Sequence, residues 1–176
     1  MTWKKISSKT VFKSKWMTVT DDKVETETGH TIDSYGVVHK KPFSIAIPWD
    51  GKETVLVGQY RYTVDKFSWE FPMGHFEGDS VEDTAIIELE EETGLKAEKM
   101  EKIGSFYPAN GFLNQEAFVF VATGLTETKP NREGGEEGMV EKKVTPKELN
   151  EMIVKGEIKD GPTIVAFKMF EEYLDK

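Results

Sequence analysis

GHFEGDSVEDTAIIELEEETGL, residues 74–95, is the stretch on which the reading of this chain turns. Ser80 suits a helix N-cap, and Asp83 three residues on is a weaker capping-box acid, so a helix is expected from about residue 80. Val81, Ala85, Ile86 and Leu89 form its apolar stripe, and Gly94 supplies a left-handed cap after about residue 93. Glu88, Glu91 and Glu92 then fall within about 100° of one face. Like charges at offsets of three and four repel, so the sequence opposes its own helix. A divalent cation removes the conflict, because hard cations take carboxylate oxygens and bridge them to phosphates. On spacing alone, a solvated acidic helix fits as well.

Upstream of this helix the chain reads as strand. Val11 to Thr20 and Thr31 to His39 are rich in β-branched and aromatic residues, with a turn at Thr28-Gly29-His30. Phe43 to Pro48 and Thr54 to Tyr62 flank Trp49-Asp50-Gly51-Lys52 and suggest a hairpin. Downstream, Ile103 to Tyr107 and Ala117 to Ala122 are further strands, the second apolar enough to be buried on both faces. Glu127 to Gly138 has no large apolar residue and reads as a mobile loop. A short strand near Met139 to Val144 precedes Thr145-Pro146-Lys147-Glu148, which combines an N-cap, a first-turn proline and a capping-box acid, so a helix runs to about Lys155. Gly161-Pro162 opens a last helix carrying Ile164, Val165, Phe167, Phe170, Tyr173 and Leu174. Strands, helix, strands and helices in this order predict a mixed sheet.

A chain of 176 residues suffices for one domain with a sizeable core. The net charge of −9 argues against general nucleic-acid binding, which needs clustered Lys and Arg. It permits an anionic substrate if bound cations invert the local field. No apolar run approaches the roughly 18 residues that cross a bilayer, and the N-terminus lacks the apolar centre of a secretory signal. The absence of cysteine excludes thiolate chemistry and suits a reducing cytoplasm. His30, His39 and His75 lack the spacing of a zinc site.

Glu88-Leu89-Glu90-Glu91-Glu92-Thr93-Gly94-Leu95 resembles, residue by residue, the second half of the Nudix box. Three positions depart from the family pattern. Ile87 stands where it has Arg, Asp79 where it has the first Glu, and Gly74 is one residue too near Asp79. In the family the first two side chains pair to brace the loop against the helix. Gln59-Tyr60-Arg61-Tyr62, Trp69-Glu70-Phe71-Pro72-Met73-Gly74, the run Phe106 to Phe112 around Pro108, and the tail from Gly156 to Asp160 with Thr163 are similar to the ADP-ribose pyrophosphatase and nucleoside diphosphate sugar hydrolase branch. The resemblance covers the chain from about Val11 to its end.

This resemblance implies an α+β Nudix fold, a mixed sheet between helices in an α/β/α sandwich, with an antiparallel N-terminal extension. Residues 1–40 would be that extension, a candidate dimerisation element, and residues 41–176 the hydrolase domain. It implies magnesium, with manganese as an alternative, held by Glu88, Glu91, Glu92 and the Met73 carbonyl. The chemistry is attack of water on phosphorus, with Glu91 in the catalytic set. The general base would come from the late loop, as Glu137 or else Glu136. Arg61 would contact phosphate or base, Trp16, Tyr60 and Phe106 are stacking candidates, and Pro108 lies in a substrate loop. The expected partner is a small nucleotide sugar, in a cytoplasmic homodimer, with no nucleic acid or membrane. Hydrolysis of nucleoside triphosphates or dinucleoside polyphosphates, and a non-catalytic Nudix-fold binding module, are the alternatives.

Overall fold

The computed structural model describes residues 2–76, 79–132, 134–136 and 138–176. Two compact units emerge, Met1–Pro42 with Tyr107–Glu116, and Phe43–Phe106 with Ala117–Lys176.

The first unit is an antiparallel meander of β1 (Lys4–Lys13), β2 (Thr18–Glu25) and β3 (Thr31–His39), in that order across the sheet. The single strand expected over residues 11–20 is in fact two. Ser14 breaks it, because its hydroxyl accepts the N–H groups of Trp16 and Met17 and its own N–H donates to the Met17 carbonyl at 2.9 Å. Such side-chain capture of backbone donors competes with strand pairing. On the far side of β3 the 107–116 segment is tied on by Val38 N–H to the Phe112 carbonyl at 2.7 Å and Asn114 N–H to the Val38 carbonyl at 3.1 Å.

The second unit is built on β4 (Phe43–Pro48) and β10 (Ala117–Thr123), which pair in parallel. β7 (Met73–His75) and β9 (Lys99–Phe106) complete an antiparallel-edged sheet in the order β7-β4-β10-β9. A second sheet holds β12 (Val140–Val144), β5 (Thr54–Arg61) and β6 (Lys66–Glu70), and a short ribbon pairs β8 (Leu95–Lys96) with β11 (Thr126–Glu127). The hairpin expected between β4 and β5 therefore does not form. Only a bridge at Trp49 and Thr54 joins them, because β4 takes β10 and β7 as partners and β5 takes β6 and β12. Short β6, β7, β8 and β11 carried too little pattern to be read from sequence.

Strand alternation sorts the core into two layers. Phe43, Ile45, Ile47, Ala117, Val119 and Val121 face one way, against Leu149 and Met152 of α2 (Pro146–Val154) and Phe167 and Phe170 of α3 (Gly161–Leu174). Ala46, Phe120 and Ala122 face the other way, against Ala85 and Leu89 of α1 (Val81–Thr93). This is the sheet between helices that the sequence implied. The expected apolar stripe of α1 needs one correction: Ile86 is 41% exposed and Thr84 is buried instead. Thr84 meets that burial by donating its hydroxyl to the Ser80 carbonyl at 3.1 Å. No helix among the described residues is long and apolar enough to cross a membrane.

Candidate active site

α1 is set by its two ends. Ser80 accepts the Asp83 N–H at 3.0 Å, and Glu82 and Asp83 sit in the first turn, where the helix dipole favours acids. Gly94 takes φ 67° and donates to the Glu90 carbonyl at 2.8 Å. A Cβ at Gly94 would stand 2.7 Å from the Pro130 nitrogen, so glycine is required by packing as well as by φ. Ser44 of β4 donates to the Val81 carbonyl at 2.5 Å and fastens the helix start to the sheet.

The three glutamates of the opening stretch are thereby placed in different environments. Glu92 is buried at 2% exposure, while Glu88 and Glu91 are half-buried. Glu92 Oε2 accepts the Met73 N–H at 3.2 Å. Burial pushes the Glu92 carboxyl up to about 9, and the charges of Glu88 and Glu136 push the same way against the Met73 N–H and Arg61. Gly74 of β7 lies directly on Glu88: a Cβ there would overlap its carboxylate. A strand glycine is what allows the backbone and that carboxylate to approach.

Among the described residues, no three carboxylate or imidazole groups already form a cation cage. The donor set nevertheless fits a divalent ion. A carboxylate buried beside two others, with one backbone N–H bond, is costly when ionised, and a hard cation with oxygen ligands relieves that cost. Glu92 meets the Met73 N–H and Glu88 lies against Gly74, so two of the three carboxylates face β7. Asp79 is exposed and Ile87 half-buried, and an aspartate with an isoleucine cannot form the charged brace usual for the box.

Met73 also lines a cavity of about 620 Å³, shared with Arg61, Lys66, Ser68, Glu70, Lys159 and Asp160. Arg61 Nε donates to Glu70 Oε1 at 2.8 Å and its Nη2 pairs with Glu70 Oε2, a two-point ion pair on a carboxylate only 3% exposed. Two of its five N–H donors are used in this pair. Asp160 caps α3 by accepting the Thr163 N–H at 2.8 Å, and burial, with help from Glu70, raises its carboxyl above the usual range. Lys66, Ser68, Glu70, Lys159 and Asp160 were missed as site residues in the sequence. The β5–β6 register sets Glu70 opposite Val57 and Arg61 opposite Lys66, so the Arg61 side chain reaches back along the hairpin to Glu70; this and the return of the 156–161 loop are tertiary facts.

The remaining candidates are distributed. Glu136 is half-buried and near enough for its charge to act on Glu92. Glu137 lies outside the described residues. Tyr60 is 58% exposed and donates its hydroxyl to Asp65 at 2.7 Å. Phe106 packs against the larger core layer, which accounts for its aromatic character. Trp16 is exposed on the β1–β2 turn with Lys15 Nζ 4.6 Å from its ring, and Pro108 opens the exposed turn of the 107–116 segment.

A sheet between helices, a capped acidic helix against a glycine strand and a polar cavity at its side define a Nudix-type hydrolase site. The chain belongs to the Nudix family: the NUDIX domain model matches residues 38–166, and that of the nucleoside diphosphate sugar hydrolase N-terminal domain matches residues 3–38. It is 30% identical over 170 residues to an ADP-ribose pyrophosphatase of Bacillus subtilis (strain 168), covering 96% of this chain and 92% of that protein. It is 31% identical over 173 residues to a methanol dehydrogenase activator of Bacillus methanolicus, with 96% and 92% covered. A solved structure of an ADP compounds hydrolase shares the fold, with a TM-score of 0.85 at 17% identity over 99% of this chain and 95% of that one. Family members of this kind work with divalent metal.

Proposed function

We propose that this protein is a magnesium-dependent hydrolase of the pyrophosphate bond in ADP-ribose or another nucleoside diphosphate sugar, releasing a nucleoside monophosphate and a sugar phosphate. One observation carries the reading. Met73 belongs both to the carboxylate group, through its N–H bond to Glu92, and to the wall of the cavity. A diphosphate lying in that cavity would meet the acidic helix at its edge.

Glu88, Glu91, Glu92 and the Met73 carbonyl would hold the magnesium, with manganese as a substitute. When bound, the ion supplies polarisation of the phosphoryl oxygens and a lowered pKa for the attacking water. The protein's own groups do the rest. A late-loop carboxylate, Glu137 or Glu136, accepts the proton of the water as its oxygen bonds to phosphorus, and the bridging P–O bond breaks to leave a phosphate monoester. Arg61, held by Glu70, offers its free N–H groups to the phosphates, and Lys66 and Lys159 balance further negative charge. Tyr60, Trp16 and Phe106 as stacking groups, and Pro108 in the substrate loop, are kept as secondary elements of the proposal.

Incubation with ADP-ribose, GDP-mannose, ATP and diadenosine polyphosphates in magnesium, with products resolved by ³¹P NMR, tests the reading. Preference for ATP or a dinucleoside polyphosphate would replace it with a neighbouring hydrolase activity. Binding without turnover at any magnesium or manganese concentration would favour a regulatory module, a reading to which the name of the Bacillus methanolicus relative lends support.

A homodimer and a cytoplasmic setting belong to the same proposal. β1 is exposed along its whole length and carries Ile6, Val11 and Phe12 at 47–56% exposure, apolar surface of the kind that marks an interface. The cysteine-free sequence suits a reducing compartment.

A further inference from the structure

We infer that Arg132 is a positioning residue: its guanidinium locks the acidic segment that carries Glu136 onto the C-terminal end of α1, and so sets where that segment stands against Glu92.

The C-terminal end of α1 is electrostatically adverse. Its last carbonyls carry the negative end of the helix dipole, Glu88, Glu91 and Glu92 crowd the last turns, and the last turn contains no basic residue. The missing cation arrives from 40 residues away. Arg132 Nε and Nη2 both donate to the Glu92 carbonyl, at 2.9 and 2.7 Å, its Nη1 donates to the Met139 carbonyl at 2.6 Å, and Nη2 also pairs with Glu141 of β12. One planar group therefore joins the helix end, the far side of the segment and a strand of the second sheet. Its side chain is 17% exposed.

Neighbouring bonds run the same way. Asn131 N–H meets the Glu91 carbonyl at 3.0 Å, and the Thr128 N–H and hydroxyl meet the Gly94 carbonyl at 2.6 and 2.8 Å. Met139, buried at 3% exposure, donates its N–H to the Glu136 carbonyl at 2.8 Å, which hitches Glu136 to the residue Arg132 holds. With Ile87 in place of the box arginine, the helix has no guanidinium of its own, and Arg132 anchors it at its C-terminal end. A lysine reaches one of these acceptors at a time, because only the guanidinium fork is rigid and multidentate.

The kinetic arm of the test rests on the hydrolase reading; the exchange arm does not. Arg132→Met and Arg132→Lys are prepared in the full chain. Amide hydrogen exchange at Thr128, Asn131 and Met139 is expected to quicken about tenfold or more in Arg132→Met, with Leu89 in the helix interior unchanged. With ADP-ribose, kcat is expected to fall about tenfold with KM held within about threefold, and Arg132→Lys to lie between. Exchange and kcat both within about twofold of the parent protein in Arg132→Met would overturn the inference. Should that variant not fold, Arg132→Lys decides alone: parent-like exchange and kcat overturn the inference, and loss in both supports it. A parent protein that hydrolyses no nucleotide sugar would sink the functional reading and leave the exchange arm to decide the tie.

Discussion

The main-chain N–H of Met73 donates to Oε2 of Glu92 at 3.2 Å, and this one bond joins the pocket wall to the acidic helix. That carboxylate is buried at 2% exposure and opposed by the charges of Glu88 and Glu136. On the proposed metal-dependent reading, a carboxyl kept protonated by its burial would ionise when a cation binds beside it.

Glu92→Gln keeps the shape and the Met73 contact but removes the charge. Turnover of ADP-ribose is expected to fall by a factor on the order of 10² to 10³, since a lost ligand forfeits several kcal/mol of transition-state stabilisation. Thermal stability without metal should hold or rise. Loss of turnover together with a collapse of Tm would instead make Glu92 a structural residue.

The same carboxyl sets a pH dependence. With its folded-state pKa raised to about 9 from the ordinary 4.5, the folded protein binds more protons than the unfolded chain between those values. Stability from this group is full below pH 4.5 and is lost as pH rises through about 9. Glu88 and Glu136 extend the loss to higher pH, and the Met73 N–H and Arg61 draw it back. Urea unfolding in EDTA across pH 5–9 should show the decline, Glu92→Gln should flatten it, and added magnesium should reverse it.

Gly74→Ala places a methyl group on the Glu88 carboxylate. The Glu88 side chain turns aside at little cost in stability, and its carboxylate leaves the position proposed for a metal ligand. Manganese titration followed by thermal shift should show weaker binding, and kcat should drop. Unchanged manganese affinity would remove Glu88 from the ligand set.

Arg61→Met leaves Glu70 buried at 3% exposure without its cation. Breaking a buried pair from one side costs about 3–5 kcal/mol, and replacing both partners by apolar groups recovers much of it. Urea unfolding of Arg61→Met, Glu70→Leu and the double variant should show that recovery. KM for ADP-ribose should stay high in every variant lacking Arg61. A double variant no more stable than the singles would count against the pair acting as a unit.

The capping box of α2 provides a contrast distant from the chemistry. Thr145 Oγ1 accepts the Glu148 N–H at 3.2 Å and the Thr145 N–H reaches Glu148 Oε2 at 2.8 Å. Thr145→Ala is expected to cost about 1 kcal/mol in unfolding experiments and to leave kcat and KM unchanged.

What the sequence determined by itself was whatever is decided within a few residues along the chain. Ser80, Gly94, Thr145 and Pro146 act on backbone groups one turn away, so α1 and α2 and their ends were legible, as were the start of α3 at Gly161-Pro162 and the acidic face of α1. The apolar runs of β4 and β10 marked them as buried, but which strands they would pair with depends on contacts across the chain. Tertiary structure decided that β4 lies parallel to β10 and that β5 turns to β6 and β12. It also decided which of three similar glutamates loses its water. Spacing on a helix placed Glu88, Glu91 and Glu92 side by side, whereas the burial of Glu92, the tie of Arg61 to Glu70 and the reach of Arg132 to the helix end arise from packing. Solvation and ion pairing depend on what folds over a side chain, and those neighbours come from distant parts of the sequence.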